Sequence, residues 1–194
     1  MNVYKVTVDK YGTKRWYLNG DLHREDGPAI DYLDGYKEWW LNGIRHRDDG
    51  PAIEYADGRK SWYKNGKRHR DDGPAVEYGF GCGKVWYKNG KRHREDGPAV
   101  EYINGGKEWW INGIRHRDDG PAIEYDNGDL YWYQNGELHR EDGPAIIEHG
   151  DYKDWYLHGV EYTEAEFLKI TQPAKELTMA EIEKLLGHRV KVVK

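Results

Sequence analysis

Tryptophan recurs along this chain at positions 16, 39, 62, 86, 109, 132 and 155, at spacings of 23, 23, 24, 23, 23 and 23 residues. Each opens the same phrase, written "WYLNG", "WWLNG", "WYKNG", "WYKNG", "WWING", "WYQNG" and "WYLHG" in turn. Six of the seven phrases lead into His-Arg-acid-Asp-Gly-Pro-Ala, with histidines at 23, 46, 69, 93, 116 and 139. A fixed period of this length means an array. Each copy must be one supersecondary unit that buries its apolar face by stacking on its neighbours.

The local signals say what the unit is. Asn-Gly after an aromatic run marks a tight hairpin, because a type I′ turn needs positive φ at both central residues. Residues 60 to 64 therefore read as a strand. Residues 74 to 78, Pro-Ala-Val-Glu-Tyr, alternate with period two and read as a second, half-buried strand, with Val76 and Tyr78 on one face and Ala75 and Glu77 on the other. Turns such as Asp57-Gly58 lead into the next tryptophan. The fold class predicted is all-β: a single-layer antiparallel ribbon of about seven tandem 23-residue hairpins over residues 1–160, on the order of 65 Å long. The tryptophan series recurs without substitution, while the next position varies between Tyr and Trp, so it is expected to form an interior stack.

The recurring His-Arg-acid-Asp cluster invites a chemical reading and has a structural one. Asp72-Gly73-Pro74 is a turn that restarts the chain as a strand, since Asp bonds nearby backbone and Pro opens a strand where no ladder N–H is required. His69, Arg70 and Asp72 are expected to pair with one another or with adjacent copies. A catalytic site is normally needed once, whereas stacked units select the same residue in every copy for packing. No catalytic residue, metal ligand or cofactor is assigned, and an enzyme is the least favoured class.

Composition narrows the remaining classes. Nine Trp and 16 Tyr stand beside two Phe and two Met, which suits half-exposed sheets more than a thick oily core. A net charge of −5 argues against bulk attraction to nucleic acid or an anionic membrane. The single cysteine, Cys82, excludes an internal disulfide framework. "MNVYKVTV" lacks the apolar run of a signal peptide, and no stretch approaches membrane-spanning length, so a reducing, cytoplasmic setting is expected.

The order of elements in "WYKNGKRHRDDGPAVEY", residues 62 to 78, closed in other copies by Asp-Gly, resembles the MORN (membrane occupation and recognition nexus) repeat family. The family's Gly-x-Gly is replaced here by "DGPA", a variant similar to repeats of phage and giant-virus proteins. The resemblance covers residues 3 to 160 and implies a hairpin-repeat fold used for scaffolding, dimerisation or lipid contact.

Two segments depart from the period. "EYGFGCGK", 77 to 84, carries the extra residue of the 24-residue spacing and is expected to bulge or bend the ladder, with Cys82 inert. Residues 161–194 form a separate module. Thr163 with Glu166 and Thr178 with Glu181 are capping boxes, Tyr162 with Phe167 and Leu177 with Ile182 are staples, and Gly187 closes the second helix. "RVKVVK" follows as a last strand, giving a helix-helix-strand cap over the last hairpin, or a docking module, beyond Pro173.

Around the Asn-Gly turns the residues change in a nearly mirror order. Unit two has Leu41, Ile44 and Arg45; units three and four carry Lys64, Lys67, Arg68, Arg70 and Lys88, Lys91, Arg92, Arg94; unit five has Ile111, Ile114 and Arg115. Asp21 and Glu137 stand at the outer turns. Hairpin turns of one type line one edge, so this edge is basic at its centre, and Trp40 and Trp110 fall symmetrically beside it. The function expected is non-enzymatic protein binding, with those eight cations and two tryptophans meeting an acidic surface, a host protein if the phage resemblance carries over. The alternatives are a carbohydrate binder, since Trp-Tyr hairpins are similar to cell-wall-binding repeats, and a phosphoinositide or nucleic-acid binder. The acids in every unit count against a polyanion. "KEWWLNGIRHRDDGPAIEY" and "KEWWINGIRHRDDGPAIEY" nearly coincide, which suggests an antiparallel homodimer or a two-fold symmetric partner.

Overall fold

The computed structural model describes residues 4–81, 83–172 and 177–189. Each Asn-Gly turn forms as its sequence requires, with Asn19, Asn42, Asn65, Asn89, Asn112 and Asn135 at φ between 50° and 53°. Asn tolerates this region because its short polar side chain costs little there. The chain is an antiparallel array of hairpins, with two short helices at its C-terminal end.

The strand expected over 60 to 64 is divided. Lys60–Ser61 belongs to a long sheet and Tyr63–Lys64 to a separate two-stranded hairpin with Lys67–Arg68. Trp62 stands between them, its N–H donating to Ala75 O at 2.8 Å and its carbonyl accepting from His69 N at 3.1 Å. In this unit the tryptophan is thus the point at which the chain leaves the sheet and enters its turn, whereas Trp16 and Trp155 lie within the continuous strands Lys14–Leu18 and Tyr152–Leu157. The same division occurs in units two, four, five and six. The long sheet contains 16 strands, each pairing with its neighbours in chain order, as in Ile53↔Ser61 followed by Val76↔Ser61 and Val76↔Val85.

The core is a row and not a tryptophan stack. Ala29, Ala52, Ala75, Ala99, Ala122 and Ala145 are fully buried, beside Ile30, Ile53, Val76, Val100 and Ile123. The seven tryptophans are half-buried instead. The expectation of an interior stack fails because the buried row is taken by the alanines and the aliphatic residues beside them, while six of the rings keep a face for a cation. Tyr87 and Trp110 pack against the cluster of Val76, Val85 and Val100, so the second aromatic of each phrase faces inward.

The glycine-rich insertion leaves the register unbroken. Glu77 pairs with Lys84 and Gly83 with Tyr102, while Gly79–Gly81 forms a short 3-10 turn. The additional residue lengthens the loop in place of bulging a strand. A Cβ on Gly79 would lie 2.3 Å from Asp57 O, so the loop packs directly on the preceding Asp-Gly turn and only glycine permits it. Cys82 lies outside the described residues.

Both capping boxes are present at Glu164–Thr171 and Met179–Leu186, and Gly187 ends the second helix in the left-handed conformation. The first helix packs on the strands Tyr152–Leu157 and Val160–Tyr162 and buries Phe167 to 1% exposure, which makes it a lid on the last hairpin. The second helix buries none of its residues. Pro173 and the strand expected in "RVKVVK" fall outside the described residues, apart from Arg189. Among the described residues no helix is long and apolar enough to cross a membrane.

Candidate binding edge and cation ladder

Alternation along each hairpin sorts the cations onto different surfaces. Arg70 and Arg94 face outward beside their tryptophans and are fully engaged there. The Arg70 guanidinium lies 4.1 Å from the Trp62 ring centre, and it donates to Asp72 and Glu77 at 2.9 Å each. Arg94 does the same with Trp86, Asp96 and Glu101. Units one, two, five and six repeat the stack with Arg24, Arg47, Arg117 and Arg140. Hydrogen bonds from these arginines hold Asp26, Asp49, Asp72, Asp96, Asp119 and Asp142 below the usual carboxylate range. Arg70 and Arg94, expected at the binding edge, are thus each engaged within the chain by a ring and two carboxylates.

The histidines join units. Nδ1 of His46, His69, His93 and His116 accepts the backbone N–H of Asn65, Asn89, Asn112 and Asn135, at 3.1 to 3.2 Å. At His69, His93 and His116 an accepting Nδ1 leaves the hydrogen on Nε2, whereas Nδ1 of His23 and His46 also lies 2.8 and 3.0 Å from Asn42 Oδ1 and Asn65 Oδ1. Nε2 in turn lies 3.1 to 3.2 Å from the acid two residues on, Asp48, Asp71, Glu95 and Asp118. His23 and His139 make the same backbone contact. The expected pairing of the cluster with adjacent copies is thus present in bonded form.

Lys64, Lys67, Lys88 and Lys91 occupy the tips of the two central hairpins and are exposed. Among the described residues only Lys88 has a carboxylate near its ammonium, Glu95 at 3.8 Å. Ile44 and Ile114, each 48% exposed, stand at the equivalent tips on either side. Lys88 also borders an outward cleft of about 680 Å³ between units three and four, whose walls include Trp86 and His93. The tips are held by backbone bonds between hairpins, Gly66 N to Arg45 O at 2.9 Å and Gly90 N to Arg68 O at 2.8 Å.

Arg68 and Arg92 point the other way. Arg68 lies 5.9 Å from the Tyr63 ring centre and 5.4 Å from that of Tyr87, and Arg92 lies 5.0 Å from that of Trp110. Arg45 and Arg115 extend the series, Arg45 between Trp40 and Tyr63 and Arg115 between Trp110 and Tyr133. The inward side of the hairpins therefore carries an alternating ladder of rings and guanidiniums. Trp40 and Trp110 belong to this ladder and not to the lysine edge.

The ladder contains two buried carboxylates. Glu38 accepts from Tyr36 Oη at 2.6 Å, Trp40 Nε1 at 2.9 Å and Arg45 Nε at 2.9 Å. Glu108 accepts from Tyr102 Oη at 2.6 Å and Trp110 Nε1 at 2.7 Å. Burial and the Glu108 hydrogen bond push Tyr102 up to about 12. Ser61 and Val85 stand at the equivalent position of units three and four, whose inward ring is Tyr. The indole N–H is thus matched to a glutamate two residues earlier on the same face. This pairing accounts for the joint occurrence of glutamate and a second tryptophan in units two and five.

The ten residues singled out from the sequence fall into three groups: an exposed lysine edge, an inward ladder holding Arg68, Arg92, Trp40 and Trp110, and the outward arginines. Glu38, Glu108, Arg45 and Arg115 were missed, although "KEWW" in two units displays the glutamate and tryptophan with the period of a strand face. No protein-family model matches the sequence, and no curated protein matches it.

Proposed function

We propose that the chain is a non-enzymatic protein-binding scaffold whose central hairpin edge seats on an acidic patch of a partner protein. The observation that supports it most is the quartet Lys64, Lys67, Lys88 and Lys91, exposed on hairpins that backbone bonds hold in place, between the aliphatic tips Ile44 and Ile114. A fixed frame reduces the ordering cost of association, and a local positive patch speeds encounter with an acidic surface despite the net negative charge. The flanking isoleucines supply apolar area around the charged centre. The resemblance to phage repeats implies a host protein as partner, with inhibition as the outcome.

The sugar-binding alternative needs bare ring faces. Six of the seven recurring tryptophans carry their own arginine within 4.2 Å of the ring centre, which favours the protein reading. The acids lining each outward cleft, Asp71, Asp72, Glu95 and Asp96 in the central one, disfavour a continuous phosphate chain.

The test is the quadruple variant with Lys64, Lys67, Lys88 and Lys91 changed to Glu, compared with wild type in capture from host lysate and then in binding kinetics with the captured partner. Unchanged melting and association slowed by at least about tenfold are expected, since reversing a whole charged patch removes its steering of the encounter. Equal capture by the variant, or steeply salt-dependent binding of unrelated DNA and RNA by wild type, would overturn the reading.

A further inference from the structure

Units two and five are nearly identical, yet their glutamates are differently supplied with cations. In unit two, Arg45 Nε bonds Glu38 at 2.9 Å, and the preceding unit has Leu22 at the position equivalent to Arg45. In unit five the preceding unit supplies Arg92 at that position. Arg92 Nη1 stands 3.6 Å from Glu108 Oε2, and Arg115 Nη2 stands 3.7 Å from the same atom. Both distances exceed a hydrogen bond of ordinary length. Each oxygen of Glu108 accepts one hydrogen bond, from Tyr102 and Trp110, and neither arginine stands close enough to add another. Arg115 Nε is buried without a hydrogen-bond partner.

The junction of units four and five therefore holds two guanidiniums against one carboxylate, where the junction of units one and two holds one against one. Among the described residues neither Arg92 nor Arg115 has another carboxylate partner. The two cations lie 5.0 and 4.8 Å from the same Trp110 ring centre, and their side chains keep 36% and 35% exposure. They are partly desolvated, fixed in place and reachable from the inward side.

We propose that Arg92 and Arg115 form a binding site for one carboxylate of an extended acidic segment in a partner protein. One monoanion supplies the missing charge and accepts from the exposed Nη groups of both forks, an arrangement that guanidinium geometry favours. A phosphate dianion brings about twice the charge that the junction lacks. Arg68, one unit earlier, bonds the hydroxyls of Tyr63, at 3.2 Å, and Tyr87, and among the described residues it has no carboxylate partner. The shared seat of Arg92 and Arg115 is at Trp110, whereas Arg68 lies between Tyr63 and Tyr87, so the two are about one and a half units apart, roughly 14 Å or about four residues of extended chain. The segment recognised therefore has the form acid-x-x-x-acid, in which the strand period of two returns both carboxylates to one face, with its second carboxylate at Arg68.

This site deepens the reading of an acidic partner and rests on it. It is tested by following the arginine Nε–H resonances of the full chain in 15N-resolved NMR, with Ac-Glu-Ser-Ser-Ser-Glu-NH2, its Gln-for-Glu counterpart and inorganic phosphate as probes. The acidic peptide is expected to shift Arg115 saturably and the Gln peptide to leave it unmoved. Arg92→Leu adopts the residue that units one and six carry there, Leu22 and Leu138, so the hairpin has a precedent for it. That variant is expected to melt as wild type does and to bind the peptide at least about tenfold more weakly, with Arg92→Lys between the two. The proposal is overturned by an unresponsive Arg115, by an equal response to the Gln peptide, by unchanged affinity in Arg92→Leu, or by saturation with phosphate and not with the peptide. Capture of a partner by wild type with an unresponsive Arg115 removes this site alone. A peptide response without a captured partner removes the lysine edge alone.

Discussion

Glu38 offers a sharp test of how the hairpins are fastened to the sheet, because other units of the same chain show what replaces it. Its carboxylate is 8% exposed and accepts three hydrogen bonds, from Tyr36, Trp40 and Arg45. Changing Glu38 to Val, the residue unit four has as Val85, strands three donors at once. Arg45 keeps 35% of its side chain exposed, and Tyr36 and Trp40 are half-buried, so each donor regains some water. The low end of the range for bonds to a charged group, roughly 1.5 kcal/mol each, is then the right scale and gives about 4.5 kcal/mol in all. Burying a valine in the vacated space returns about 1.5 kcal/mol. The net cost is about 3 kcal/mol, or roughly 6 to 12 °C in melting temperature for a chain of this size. Adding Trp40→Tyr reproduces the Val-Tyr pair of unit four and removes the stranded indole N–H, so the two changes are expected to couple favourably by about 1 kcal/mol. Circular dichroism melts and urea titrations of wild type, the two single variants and the double variant measure this. Wild-type melting in Glu38→Val refutes the reasoning, as does a double variant whose cost equals the sum of the singles.

The half-buried tryptophans lead to a smaller effect than a core ring would: Trp86→Ala is expected to cost about 2 kcal/mol, including the lost Arg94 stack, as read from a urea midpoint. His139 is held below its ordinary pKa by burial and by His158, so its neutral form is favoured in the folded chain. The unfolded chain takes up that proton first as pH falls. The stabilisation is full above about pH 6.5 and is lost as pH drops toward the depressed folded value, so urea midpoints between pH 7 and 5 should fall less steeply in His139→Gln.

Much of the architecture was legible because it is written locally. Asn-Gly fixed each turn, the period fixed each neighbour, and the two capping boxes lie where Thr163 and Thr178 announce them. The division of each long strand at its tryptophan was not legible, since nothing in "SWYK" distinguishes a strand that continues from one that bends. Nor were the half-burial of the rings and the stacking of Arg70 and Arg94 upon them, which recur at Trp16 within an unbroken strand. The basic set was gathered by position along the chain, whereas strand alternation places Lys67 and its neighbour Arg68 on opposite faces. That signal was available in the sequence.

The histidine contact has a consequence for how such a chain can change over generations. Donor and acceptor recur at the same positions in successive units, so any copy fits beside any other, and a unit gained or lost restores a working junction on both sides. The paired guanidiniums lack that freedom, for they need an arginine at the end of one copy and a glutamate at the start of the next. A copy resembling unit three inserted between units four and five would still offer an arginine to Glu108, whereas one resembling unit six would not. Array length can drift while recognition is held, and recognition can be switched off by one ill-matched copy in an array that still folds.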